Sequence, residues 1–305
     1  MADVLNTTTL DLANHTKKGI WQKNIKAGVL AQLAVEDPEI KVGSTDIFAF
    51  TDTPKAELVG ESAQKSSQSA VPTKVEAKTY KVHVTYRMSD EVLYEDEDYQ
   101  LGLIDALVGR VATAISRALD LIGFHGINPA TGTVSDQVVS YIDKANFLPA
   151  ANVKTATAKA NDDVEALASA LQAAGYNATG IALDPEFAGT LARSKTDSGT
   201  PLYPELGLGF DVKRFQGLTA ASSDTVSGKR EMAAAAAVDQ AIMGDFNAFK
   251  WGIARQVGLE TIRYGDPDGN GDLKRKNEIA IRAEAYFGFA FMDPNAFALL
   301  KKASA

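Results

Sequence analysis

Three features of the chain predict an α+β architecture that carries a separate compact α/β unit. An alternating, β-competent stretch from Val71 to Met88 is long for a single strand. Directly after it, apolar residues recur every three or four positions, the spacing of one long amphipathic helix. Strand and helix signals then alternate between about residues 150 and 255.

Taken in order, residues 1–35 are polar with scattered apolar positions (Ile20, Trp21, Ile25, Val29, Leu30) and read as an arm that depends on a partner for order. A short helix is expected from Trp21 to Leu33. Residues 40–52 alternate like a strand, and the small, polar run from Pro54 to Ala70 joins them to the long strand. On that strand Val75, Ala77 and Thr79 share one face, and Tyr80, Val82, Val84, Tyr86 and Met88 the other. At about 3.3 Å per residue it reaches roughly 55–60 Å, whereas a globule of this size has a radius of gyration near ~19 Å. Such a hairpin cannot pack wholly on its own domain, so something outside the subunit is expected to cover it.

Ser89, Asp90 and Glu91 form a helix start, a capping hydroxyl followed by acids that the N-terminal dipole favours. Ile104, Leu107, Val108, Val111, Ile115, Leu119 and Ile122 continue the apolar stripe, and Gly126 and Pro129 end it near Phe124. A second helix is expected over Asp162–Ala174, capped by Asn161 and stopped by Gly175. Thr179–Leu183 is a short strand, and Asp184-Pro185 opens a third helix that reaches Arg193. Residues 194–231 are loop-rich, Ala233–Met243 is expected to be a tightly packed strand or strand pair, and Gly258–Tyr264 and Glu278–Phe291 are strands.

Composition narrows the functional classes. The chain of 305 residues has no cysteine, which excludes disulfides, thiolate metal sites and cysteine nucleophiles. Its three histidines, His15, His83 and His125, show no i, i+4 pairing, so a histidine-based metal site is not expected. The formal charge of −8 argues against a phosphate-gripping surface, although enclosing nucleic acid without gripping it is compatible with an acidic chain. There is no secretory signal or membrane-spanning run, and the chain is expected to stay in a cytoplasm.

Few constellations invite chemistry. Asp266, Asp268, Asn270 and Asp272 match the first half of a calcium loop, but Asn277 stands where the closing bidentate glutamate is needed. Aspartate, asparagine and glycine are turn-formers in any case, so an acidic hairpin turn is the expected reading. Gly60-Glu61-Ser62-Ala63-Gln64 lacks the closing glycine of a nucleophile elbow, and Gly60 to Ser66 lacks the second glycine of a phosphate loop. Glu95 to Asp98 reads as a solvated helix start rather than paired catalytic acids. No catalytic residue, cofactor loop or metal cage is expected.

Four stretches in sequence order carry a resemblance. VPTKVEAKTYKVHVTYRMSDEVLYED (from Val71) looks like the return strand of an extended loop running into a spine helix. RALDLIGFHGINPATG (from Arg117) is similar to the exit of that helix. MGDFNAFKWGIARQVGLETIRYGD (from Met243) looks like a GDF-type strand leading back to a peripheral domain. NEIAIRAEAYFGFAFMDPNAFALL (from Asn277) resembles a closing segment with an Asn, an Arg-x-Glu and a Pro-x-Ala-Phe, here Asn277, Arg282 to Glu284 and Pro294 to Phe297. Together they resemble the major capsid proteins of tailed bacteriophages, the Hong Kong phage-type fold.

The resemblance implies an N-terminal arm (1–35), an extended β-hairpin loop (36–88), a peripheral domain with the spine helix (89–149), an axial α/β domain (150–255), further peripheral strands (256–288) and a return to the axial domain (289–305). It implies a subunit that self-assembles as hexamers and pentamers into an icosahedral head around double-stranded DNA, with portal, scaffold and decoration proteins as partners. The particle would be a virion capsid assembled in the host cytoplasm, with no cofactor and no membrane. Trp21, Glu61, Lys65, Val75, Tyr80, Val82, Pro201, Tyr203 and Leu206, within the hairpin and the loop from Pro201 to Leu208, are the expected interface residues. Some family members begin with a scaffolding region that a protease removes; this chain starts at the arm, which implies a separate scaffold or none. Relatives also form Lys–Asn crosslinks, but Lys55, Lys65 and Lys74 read as solvated lysines and no crosslink is expected. An encapsulin-like cargo shell, a carboxylate-dependent hydrolase and a calcium-dependent adhesion module are the alternatives.

Overall fold

A computed structural model of the chain describes residues 25–50, 54–70, 72–94, 97–196, 198–206 and 212–303. Trp21, Glu95, Asp96, Gly207 and Leu208 therefore lie outside the described residues. A single helical turn, α1 (Leu30–Leu33), precedes β1 (Ser44–Ala49), and β2 (Thr73–Ser89) is one unbroken strand. After a 3-10 turn at Asp90–Tyr94, the spine helix α2 runs Glu97–His125. Ser89 Oγ accepts the Glu91 N–H at 3.3 Å, as its capping character predicts. Gly126, at φ +64°, ends the helix.

The first sheet has four strands in the order β1-β2-β11-β10, with β10 spanning Phe249–Ile262 and β11 Glu278–Phe291. The β2–β11 ladder is antiparallel and runs from Lys78 opposite Phe289 to Ser89 opposite Glu278. Beyond Lys78 the ladder partner of β2 among the described residues is β1, from Thr73 opposite Ala49 to Lys78 opposite Ser44. The long strand thus finds cover within its own chain along most of its length, because β11 carries a matching alternation. What projects is the outer hairpin.

The second sheet is mixed, in the order β5-β12-β9-β6-β8-β7, with β5 Val153–Thr155, β6 Gly180–Leu183, β7 Arg214–Phe215, β8 Leu218–Ser222, β9 Asp239–Gly244 and β12 Phe297–Lys301. Helices α3 (Ala160–Ala173) and α4 (Pro185–Arg193) share a core with it. Both faces are buried, and period two sorts the side chains between them. Ile181, Leu183, Met243 and Leu300 join Val164, Leu167, Leu171, Phe187 and Leu191 in the helix-side core. Ala182, Ile242, Phe297 and Leu299 enter the second core, which reaches the spine helix and the four-stranded sheet. There Phe291 is the aromatic hub, with ring centroids 4.9 Å from Phe249, 5.3 Å from Phe147 and 5.6 Å from Phe297. Strands β10, β11 and β12 are bound together through it. A small antiparallel pair, β3 (Ile127–Asn128) and β4 (Thr133–Val134), follows the spine helix.

Three expectations need correction. Ala233–Ala236 is exposed and turn-like, with the Ala236 and Ala237 N–H groups donating to Ala233 O; the packed strand begins only at Asp239. Asn161 lies inside α3 and bonds Asp162; the helix is capped at Lys159 without a side-chain bond, while Asp163 accepts the Thr157 N–H at 2.8 Å. The strand expected from Gly258 begins at Phe249, and bulges at Ile253/Arg255 and Val257/Glu260 break its alternation. Asp184 caps α4 as expected, accepting the Glu186 N–H at 2.8 Å.

Candidate assembly surfaces

The hairpin leaves the body beyond the β1–β2 ladder. Its tip, from Pro54 to Ala70, forms no ladder and is exposed almost throughout. Side chains close it instead. Lys55 N–H donates to Gln68 Oε1 at 3.0 Å, with Gln68 Nε2 returning a bond to Lys55 O, and Ser66 donates to Glu57 Oε2 from N at 3.1 Å and from Oγ at 2.6 Å. A turn at Gly60–Ala63 ends the ribbon, with Ser62 at φ +63° and the Ala63 N–H 3.2 Å from Gly60 O. Glu61 and Lys65 lie at this exposed end. On the flank, Phe48 and Phe50 are each 64% exposed, an unusual place for two aromatic rings. Val75 is half-buried against the small core of Ile40, Ala77 and Ala290.

A second apolar surface is a trough of about 390 Å³ between the spine helix and β10–β11, lined by Val108, Val111, Ile115, Ile253, Leu259 and Phe287 among others. β10 is an edge strand of its sheet, and among the described residues its outer side is met by a single bridge, between Glu36 and Trp251.

The other expected interface residues sit further inside. Tyr80 packs its ring 5.3 Å from Phe289, and Val82 lies against the same core. Tyr203 and Leu206 are 6% and 5% exposed and belong to the helix-side core, Tyr203 4.9 Å from the Phe215 ring. Pro201 is exposed and bridges Lys195.

The acidic turn already holds a cation, and it belongs to the chain. Arg87, its side chain 2% exposed, donates to Asp268 Oδ1 at 2.5 Å, to Glu278 Oε2 at 2.9 Å and to Gly271 O at 2.8 Å, with Asp266 Oδ1 at 3.4 Å. The Arg87 guanidinium and bonds from Asn270 hold the Asp268 carboxyl below its ordinary value against the opposing effect of burial. This charge cluster ties the β10–β11 connection to β2. Arg282 adds bonds to Thr85 Oγ1 at 3.0 Å and Pro267 O at 2.6 Å.

A polar strip on the spine helix holds the segment from Lys26 to Leu30. Arg117 bonds Asp224 at 2.5 Å, Glu231 at 2.6 Å and Lys26 O at 3.1 Å. Asp120 accepts from the Val29 N–H at 2.6 Å, the Leu30 N–H at 3.0 Å and Thr225 Oγ1 at 2.5 Å. Burial nevertheless pushes the Asp120 carboxyl up to about 6. A hydrolase would need convergent carboxylates in an open concave site; the raised carboxyls of Asp120 and Asp184 are enclosed and hydrogen-bonded. The sequence gives little notice of Arg87, Arg117 and Asp120. Their one local signal is a charge set within an apolar run.

A projecting ribbon, a spine helix and an α/β unit, with apolar and edge surfaces left open, define a shell-forming structural subunit. A model of the phage capsid family matches residues 12–302, and the chain belongs to that family. A chain of Mycobacterium phage Ogopogo is 39% identical and superposes with a TM-score of 0.83, over 99% of this chain and 100% of that one. One of Gordonia phage Cozz is 28% identical, with a TM-score of 0.80 over 97% and 93%. The capsid of an empty GTA particle computed with C5 symmetry shares the fold at 19% identity and a TM-score of 0.64, covering 97% of this chain and 96% of that one. No curated protein matches. The expected capsid fold is present, and the chain is a structural subunit of a many-copy capsid shell, part of the virion.

Proposed function

We propose that the hairpin is the principal assembly device and that shell closure depends on its tip lying over a neighbouring copy. The exposed tip supports this most directly: from Pro54 to Ala70 the ribbon has side-chain latches but no ladder, and two exposed phenylalanines stand beside it. Burying those rings against another subunit contributes about 1.5–3 kcal/mol each, a useful size for many weak symmetric contacts.

In this reading the arm (1–35) and hairpin (36–88) overlap neighbours, the peripheral parts (89–149 and 256–288) form the shell wall, and the axial parts (150–255 and 289–305) surround the five- and six-fold positions of pentamers and hexamers. The shell encloses double-stranded DNA without reading its sequence, in keeping with a formal charge of −8. Portal, scaffold and decoration proteins are the further partners, assembly takes place in the host cytoplasm, and the chain carries no catalysis of its own. Glu61 and Lys65 are the contacts best placed for the overlap; Tyr80, Val82, Tyr203 and Leu206 support the interface from behind.

The test is to replace residues 56–68 by a short glycine-serine turn and express the full chain. Particles should vanish in negative-stain microscopy while circular dichroism of the free subunit stays that of the parent. Shells formed in parental yield would overturn the proposal.

A further inference from the structure

His125 closes the spine helix, and the fold brings two distant aspartates to it. Asp143 comes from the loop after β4, which is docked on the helix end by bonds from the Ile142 N–H to Gly123 O at 3.1 Å and from the Asp143 N–H to Phe124 O at 2.8 Å. Asp239 is the first residue of β9. His125 and Asp239 are each 2% exposed.

The hydrogen bonds leave this cluster incomplete. His125 Nε2 lies 3.1 Å from Thr225 O, an acceptor, so Nε2 carries the proton and Nδ1 presents a lone pair. Nδ1 faces Asp239 Oδ2 at 3.6 Å. Neither Nδ1 nor either Asp239 oxygen has a hydrogen-bond partner, although all three are buried. Such atoms ordinarily find partners. A separation of 3.6 Å is too long for a hydrogen bond. It approaches the span between two ligands that each stand about 2.0–2.1 Å from a shared tetrahedral ion. Ligand atoms of His125, Asp143 and Asp239 all lie within 4.8 Å of one another. Lys301 Nζ bonds Asp143 Oδ1, which leaves the Asp239 oxygens and His125 Nδ1 as the unpartnered atoms of the cluster.

We propose that His125 Nδ1, Asp239 and Asp143 bind a divalent first-row transition ion of the Zn²⁺ or Mn²⁺ class at the seam between the spine helix and the axial sheet. One imidazole nitrogen and two carboxylates form a borderline-to-hard donor set suited to these ions. Lys301 stays on the outer side of Asp143 and orients it. The bound ion pins the helix end, the Asp143 loop and the start of β9 together.

The full chain, stripped with a chelator, is dialysed against micromolar Zn²⁺ or Mn²⁺ and desalted, then assayed for metal by mass spectrometry and for melting. The parent should retain stoichiometric ion with a Tm higher by several degrees, since an ion that binds only the folded state stabilises it. Asp239→Asn should lose both effects, and Asp272→Asn, in the surface turn, should keep both. Should Asp239→Asn not fold, Co²⁺ loaded into the parent should give visible d–d absorption that Zn²⁺ abolishes. A parent that retains no ion and gives no Co²⁺ band would show that His125 and Asp239 share a proton instead. That result, or full retention by a folded Asp239→Asn, overturns the proposal.

Discussion

Gly252 and Gly288 face each other across the β10–β11 ladder, and the segment leading into the hairpin crosses the sheet on that pair. A Cβ at 252 would stand 2.1 Å from Asp37 O, and one at 288 would stand 2.7 Å from Ile40 Cγ2. The Asp37 N–H meanwhile donates to Trp251 O at 2.6 Å. Gly252→Ala should therefore lift the crossing segment, cost about 1–3 kcal/mol or more, and lower particle yield. Gly109→Ala, on the exposed side of the spine helix where nothing lies within 4 Å, should cost no stability and leave particle yield at the parent's. Thermal melts of the free subunits and particle counts check the pair.

Arg87 is the only described cation bonded to Asp268, Asp266 and Glu278. Replacing it with methionine leaves Glu278, whose side chain is 11% exposed, and the more exposed Asp266 and Asp268 without their shared donor, and should cost about 1–3 kcal/mol. Asp268→Asn, which removes one partner of several and keeps the shape, should cost less. Denaturant midpoints of the two variants give the order.

Phe291→Ala removes the ring shared by β10, β11 and β12 and should cost about 3–5 kcal/mol. The loss should appear as a lower denaturant midpoint with an unchanged slope, because the folded architecture is retained.

Asp120 sets a pH dependence of opposite sign to an ordinary ion-paired acid. Its carboxyl is raised from 3.8 to about 6 in the folded state, so between those values the folded chain holds a proton that the unfolded chain has released. Stability from this group is greatest below about pH 4 and falls as pH rises through 6. The full swing is about 3 kcal/mol. Asp120→Asn should therefore gain relative to the parent as pH goes from 4 to 7, measured as the difference in Tm across that range. A constant difference would refute the assignment.

The elements that could be read from sequence were those whose local signals agreed. The alternation of β2, the spine-helix stripe, the Asp184-Pro185 start of α4 and the β11 run all appear near their expected bounds. Local signals failed where tertiary partners decide. Five alanines carry no facial pattern, so Ala233–Ala237 looked like a strand and became a turn. The bulges in β10 hid its first residues. Tyr203 and Leu206 looked like loop-surface residues because the surrounding composition is loop-like, yet Phe215 gives them a core. The charged centres were harder still: Arg87 and Asp268, like His125 and Asp239, are distant along the chain, and nothing in either neighbourhood announces the other.

Among the described residues the two arms of the ribbon's far end are fastened to each other by Lys55 with Gln68 and Glu57 with Ser66, all in contact with water. Each such fastening is worth about 1 kcal/mol, little beside the ladder and aromatic core below it. The outermost stretch can thus be reshaped almost freely while its root stays rigid. In the proposed shell of pentamers and hexamers one sequence sits in non-identical surroundings, and there the accommodation falls on the cheapest part of the molecule to bend.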